Sequence, residues 1–159
     1  MTIKKTIVLF DIDYTLFDTK AFIDSGFKKY APYDEIPPTI KRLSKSFDLG
    51  IFSKGEIEFQ NNKLDKTGLR KYFKKSNIHI FEDKNANLKD VIGKYDNYKV
   101  FLIDDKLQVL YEAKLSMPLI VTIWIKRGPF AENQKPIENF FPDITVNNLV
   151  NLSKIVESN

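Results

Sequence analysis

Five short apolar runs, each followed by a stretch with helical spacing, constrain this chain more than any other feature. The runs are residues 6–11 (TIVLFD), 48–53 (DLGIFS), 77–81 (NIHIF), 98–104 (YKVFLID) and 119–125 (LIVTIWI). They are short, rich in β-branched residues and mostly apolar without alternation, as expected of strands buried on both faces. Helical spacing marks residues 38–46, with Pro38 at the start and Ile40, Leu43 and Phe47 three and four apart. It recurs at 56–66, at 85–94 with Leu88, Val91 and Ile92 on one face, at 106–115 and at 146–156. This alternation predicts a three-layer α/β/α, doubly wound parallel sheet. With 159 residues the chain has the length of a single domain, here read as 1–159.

In such sheets ligands bind beyond the carboxyl ends of the strands, and the strand ends here are polar. The first run stops at Asp11, followed by Asp13 and Thr15; the second stops at Ser53; the fourth stops at Asp104 and Asp105. Lys84 lies in the loop that follows the third run and opens a helix. Asp11 and Asp13, two apart, point to one side of an extended or tightly turning segment. Carboxylates so placed repel unless a cation or proton intervenes. All-oxygen ligation points to magnesium. One carboxylate can then attack phosphorus while the other moves the proton. Asp104 and Asp105 would complete the metal site, and Lys84 and Ser53 would meet the phosphoryl oxygens.

Each piece alone has an ordinary explanation. An Asp pair after a strand serves as a turn and helix cap, Ser53 as the N-cap of the segment after Gly55, and Lys84 as a solvated loop lysine. Two adjacent carboxylates closing an apolar strand have no such explanation, and the joint arrangement is not accounted for by folding alone. Other chemistries are excluded. There is no cysteine and a single histidine, His79, which lies inside a predicted strand and is read as structural. Thiol catalysis, zinc–thiolate sites and a Ser-His-Asp triad are therefore out. No Gly-rich phosphate loop occurs. The one tryptophan, Trp124, is expected in the core. No apolar run approaches the ~20 residues of a membrane span, and a cytoplasmic protein is the expectation. The net charge of +4 comes largely from lysine groups on predicted helices. Such faces are usually just solvated, so nucleic acid is not the expected partner.

These residues resemble the haloacid dehalogenase-like hydrolase superfamily. FDIDYT (10–15) is similar to its first motif, DxDx[TV], IFSKG (51–55) to its second, Lys84 in FEDKNANL to its third, with Lys89 a less favoured substitute, and FLIDDK (101–106) to its acidic fourth. The resemblance implies Asp11 as nucleophile and Asp13 as general acid/base. It implies Ser53 and Lys84 as phosphoryl contacts, with Thr15 and Lys54 beside the substrate. Mg²⁺ would take the side chain of Asp11, the backbone carbonyl of Asp13, then Asp105 and, after it, Asp104. The expected reaction is Mg²⁺-dependent hydrolysis of a phosphomonoester through a phosphoaspartate on Asp11.

Residues 17–34 leave room for a flap and one helix, not for a large cap, so an open site is expected. Open members of the superfamily act on large substrates or close the site with a second subunit, which keeps a homo-oligomer in view. Phe17, Lys20, Phe22, Phe27 and Lys54, with Lys126 and Arg127, are the expected rim. Competing readings are a regulatory phosphate-binding module and a phosphatase of nucleotides or nucleic-acid ends.

Overall fold

A computed structural model describes residues 4–159. Among them is one six-stranded sheet with every neighbouring pair parallel, in the order β3-β2-β1-β4-β5-β6. The strands are β1 (Lys5–Phe10), β2 (Asp48–Lys54), β3 (Ile78–Phe81), β4 (Tyr98–Asp104), β5 (Val121–Ile125) and β6 (Ile144–Val146). The helices are α1 (Thr19–Asp24), α2 (Ile36–Leu43), α3 (Ile57–Lys66), α4 (Lys84–Gly93), α5 (Leu107–Ser116), α6 (Gly128–Asn133) and α7 (Leu152–Ser158).

The unbroken apolar character of β1 follows from its place at the centre. Val8 and Phe10 face one way and pack with Ile40 and Leu43 of α2, Leu64 of α3, and Leu152 and Val156 of α7. Ile7 and Leu9 face the other way, against Leu88, Val91 and Ile92 of α4 and Val109, Leu110 and Ala113 of α5. All four β1 side chains are fully buried, each contributing about 1.5–3 kcal/mol of transfer free energy. The strand order changes direction between β1 and β4, which is where a doubly wound sheet opens a crevice.

The predicted doubly wound sheet is present, with corrections at its margins. A sixth strand follows the fifth, because Ile144–Val146 pairs with Ile123–Ile125 along the outer edge. The stretch 146–156 is therefore not one helix: Val146 ends β6 and helix begins only at Leu152. Helix α2 starts at Ile36, with Pro37 and Pro38 in its first turn, where their missing N–H groups leave no helical bond unmade. β5 starts at Val121, after a turn that leaves Leu119 exposed. Only α1, α2 and their loops separate β1 from β2, and only α3 and two short 3₁₀ turns separate β2 from β3, so neither insertion holds a large cap. No helix among the described residues is long and apolar enough to cross a membrane.

Candidate active site

The β1–β4 ladder brings the acidic residues together. Phe10 pairs with Ile103, and the Asp11 N–H donates to the Ile103 carbonyl at 3.1 Å, so the ends of both strands lie at one level. After Asp11 the chain turns tightly: the N–H groups of Thr15, Leu16 and Phe17 all donate to the Ile12 carbonyl. Tyr14 takes a left-handed backbone conformation (φ 60°), uncommon for a bulky residue. Gly128 makes room for it, since a Cβ there would lie 2.3 Å from the Tyr14 ring.

Asp11, Asp104 and Asp105 are buried, each with a carboxylate oxygen within 4.8 Å of the others'. Lys84, buried at the start of α4, places its ammonium 2.5 Å from Asp104 Oδ2 and 3.2 Å from Asp11 Oδ1. Burial alone would lower its pKa, but the charges of Asp104 and Asp11 outweigh burial and hold it above the ordinary lysine range. Burial raises the Asp11 carboxyl to about 6, against the pull of Lys84. Burial, then the neighbouring charges of Asp11 and Asp104, push Asp105 up to about 10. Asp104 spends its second oxygen on the Lys106 N–H at 2.9 Å. Asp105 Oδ2 is buried with no hydrogen-bond partner among the described residues. Its backbone carbonyl is fixed by Trp124 Nε1 at 3.0 Å and Gln134 Nε2 at 2.8 Å. Trp124, half-buried, thus steadies the site as well as packing in the sheet. Three carboxylates against one ammonium leave two negative charges uncompensated when all are ionised. An all-oxygen set with that deficit and a vacant lone pair on Asp105 fits a hard divalent cation.

Asp13, on the far side of Asp11, is held at three points. Its Oδ1 accepts from Lys63 Nζ at 2.7 Å and Thr19 Oγ1 at 2.9 Å, and its Oδ2 accepts from Gln60 Nε2 at 2.9 Å. The Gln60 amide also reaches Ser53 Oγ at 2.9 Å and the Lys54 carbonyl at 3.1 Å. Gln60 and Lys63 were not singled out in the sequence. They lie three apart with Leu64 on the buried face of α3, and that polar i,i+3 pair beside an apolar residue is the signal that could have found them.

A cavity of about 360 Å³ opens above Asp11, Asp13 and Asp105 and is walled by Tyr14, Phe22, Phe27, Phe59, Phe130, Lys54 and Lys106. A smaller one, about 210 Å³, adjoins Asp11, Lys84 and Asp104, with Lys54 and Lys106 shared between the two. Lys84 takes the expected place, whereas Lys89 is exposed on the opposite end of the sheet. Thr15 and Ser53 are fully buried and line neither cavity; the Thr15 hydroxyl has no partner among the described residues. The expected rim divides. Phe22, Phe27 and Lys54 line the larger cavity. Phe17 belongs to the core, since the tight turn points it inward. Lys20 pairs with Asp24 on the solvent side of α1. Lys126 lies over the Trp124 ring, and Arg127 stacks on Tyr33 and pairs with Glu35, so neither reaches the mouth.

Whole-chain superposition decides the fold. A haloacid dehalogenase-like hydrolase from Burkholderia xenovorans LB400 aligns with a TM-score of 0.81 at 18% identity, covering 98% of both chains. The chain has the haloacid dehalogenase-like fold. The same haloacid dehalogenase-like architecture aligns with the HAD-hydrolase YfnB from Bacillus subtilis, bound to magnesium (TM-score 0.73, 14% identity, 97% of this chain and 99% of that one). It also aligns with L-2-haloacid dehalogenase from Xanthobacter autotrophicus carrying covalently bound chloropropionic acid (TM-score 0.71, 13% identity, 96% and 98%). No family model and no curated protein sequence matches the chain.

Proposed function

We propose that the chain is a hydrolase of the haloacid dehalogenase-like superfamily, and specifically a Mg²⁺-dependent phosphatase acting on phosphomonoesters. Asp11, at the switch point of the sheet, is the nucleophile. Its carboxylate oxygen bonds to phosphorus as the phosphorus–oxygen bond to the leaving group breaks, and Asp13 gives that oxygen its proton. Water then attacks phosphorus, Asp13 takes the water's proton, and phosphate leaves Asp11 free. Lys84 orients Asp11 through its 3.2 Å contact and offsets charge on the phosphoryl group. Lys54, facing both cavities, is the substrate contact at the end of β2, while Thr15 and Ser53 support the site from below. Mg²⁺, held by Asp11, Asp105, Asp104 and the Asp13 carbonyl, would supply positive charge to the phosphoryl oxygens.

The observation that carries this reading is the unpartnered, buried Asp105 oxygen beside two further carboxylates and a single ammonium. A carboxylate nucleophile would also suit displacement of halide. Halide displacement, however, needs no metal, so it would leave the site's excess negative charge uncompensated and Asp105 without a purpose.

The test is hydrolysis of 4-nitrophenyl phosphate with and without Mg²⁺, for wild type and Asp11→Asn. Activity is expected only with Mg²⁺ and is expected to fall about 10³-fold or more in the variant, as when other nucleophiles are removed. Calorimetry should show Mg²⁺ raising the Tm of wild type but not of Asp105→Asn. Metal-independent activity, or activity surviving in Asp11→Asn, overturns the mechanism. Phosphate binding without turnover would favour the regulatory module instead.

A further inference from the structure

The larger cavity has two unlike walls. One is the carboxylate cluster; the other is aromatic, with Phe27 and Phe59 against the buried Phe22, and Phe130 also in the lining. Phe27, Phe59 and Phe130 are 63%, 40% and 51% exposed, and the ring centroids of Phe27 and Phe59 lie 5.4 and 5.9 Å from that of Phe22. Folding does not call for such rings to face water. Phe27 moreover holds a left-handed backbone conformation (φ 63°) directly after Gly26, a strained geometry for a bulky residue that burial of its ring does not repay. Of the cavity's polar groups, the Thr19 hydroxyl and the Lys63 ammonium are bonded to Asp13, which leaves the Tyr14 hydroxyl and the two lysines Lys54 and Lys106 beside the carboxylates. The aromatic side offers no polar group to the hydroxyls of a sugar. Lys54 and Lys106 line both cavities and bracket the space beside Asp11. At about 360 Å³ the space is near the small end for ligand sites.

Resting on the phosphatase reading, we propose that the substrate is a small phosphomonoester whose leaving group carries a single aromatic ring. The ring packs against Phe27, Phe59 and Phe130, and Lys54 and Lys106 flank the phosphate. The side of the cavity away from the carboxylates thereby gains the cover that a cap would otherwise supply.

Two alkyl esters of similar intrinsic reactivity separate ring recognition from leaving-group ability: 2-phenylethyl phosphate and glycerol 1-phosphate. Wild type with Mg²⁺ should prefer the phenylethyl ester in kcat/KM by about tenfold or more. Phe27→Ala and Phe59→Ala, substitutions of exposed side chains, should each cut that preference several-fold, mainly through KM. Equal use of the two esters by wild type, or a preference untouched in both variants, overturns the proposal. If neither ester is cleaved, the phosphatase reading itself has failed. Binding then decides, by calorimetry with Mg²⁺. Phenylphosphonate binding at least tenfold more tightly than methylphosphonate, with the gap closing in Phe59→Ala, keeps the aromatic subsite. Equal binding removes it.

Discussion

Asp13 is the general acid/base of the proposed reaction, yet neither of its oxygens is free in the resting structure. Lys63 and Thr19 occupy one and Gln60 the other, and the Lys63 ammonium is itself enclosed by the rings of Phe17, Phe22 and Phe59. A buried ammonium held that way fixes the direction in which the carboxylate faces Asp11 and the leaving group. Lys63→Met keeps the length and the ring contacts and removes the charge. It is expected to lower kcat about 10–100-fold on an alkyl phosphate and less on 4-nitrophenyl phosphate, whose leaving group needs little protonation. Steady-state kinetics on both esters checks this, and equal losses would reduce Lys63 to a structural part. Asp11, Asp13, Lys84, Asp104 and Asp105 were legible in the sequence because, although most of them singly have an ordinary role, their joint placement at the strand ends is not accounted for by folding. Gln60 and Lys63 were not, because polar residues on a helix ordinarily face water. Only packing against the turn after β1 and the aromatic flap buries them.

Among the secondary-structure elements, β6 shows how side chains can build what backbone propensity leaves weak. Three residues make a poor strand, and Asp143 anchors this one. Its carboxylate accepts from the Thr122 N–H at 2.8 Å, the Thr122 hydroxyl at 2.9 Å and Lys114 Nζ at 2.8 Å, while its own N–H donates to the Thr122 hydroxyl. Burial alone would raise the Asp143 carboxyl, but these bonds outweigh it and hold the group below the usual carboxylate range. Asp143→Ala leaves the fully buried Thr122 hydroxyl short of its acceptor. The loss expected is about 1–3 kcal/mol, read as a lower urea midpoint, and a midpoint within error of wild type would show the anchor to be idle. The first five strands were readable from their apolar runs, whereas β6 and α6 were not. Both are too short to show a period, and β6 takes its place from Asp143 and its pairing with β5.

For the molecule as a whole, acid stability is where the single histidine acts. His79 is buried in β3, its Nε2 2.6 Å from the Tyr95 hydroxyl. Burial, with the charge of Lys94 second, lowers it to about 4. The unfolded chain takes up that proton near pH 6.5, so stability present above this value is lost as pH falls toward 4. Between pH 7 and 5 the loss from this group is about 2 kcal/mol. In His79→Gln the urea midpoint should depend on pH less steeply, and an unchanged slope would assign acid sensitivity to the carboxylates alone. The central position of β1 has a consequence for synthesis. Asp11 emerges from the ribosome before its companions Asp104 and Asp105, which come only with β4, after the whole β2–α4 stretch. Parallel pairing between segments so distant is slow. A nascent chain therefore carries the proposed nucleophile long before it carries the carboxylates that complete its site.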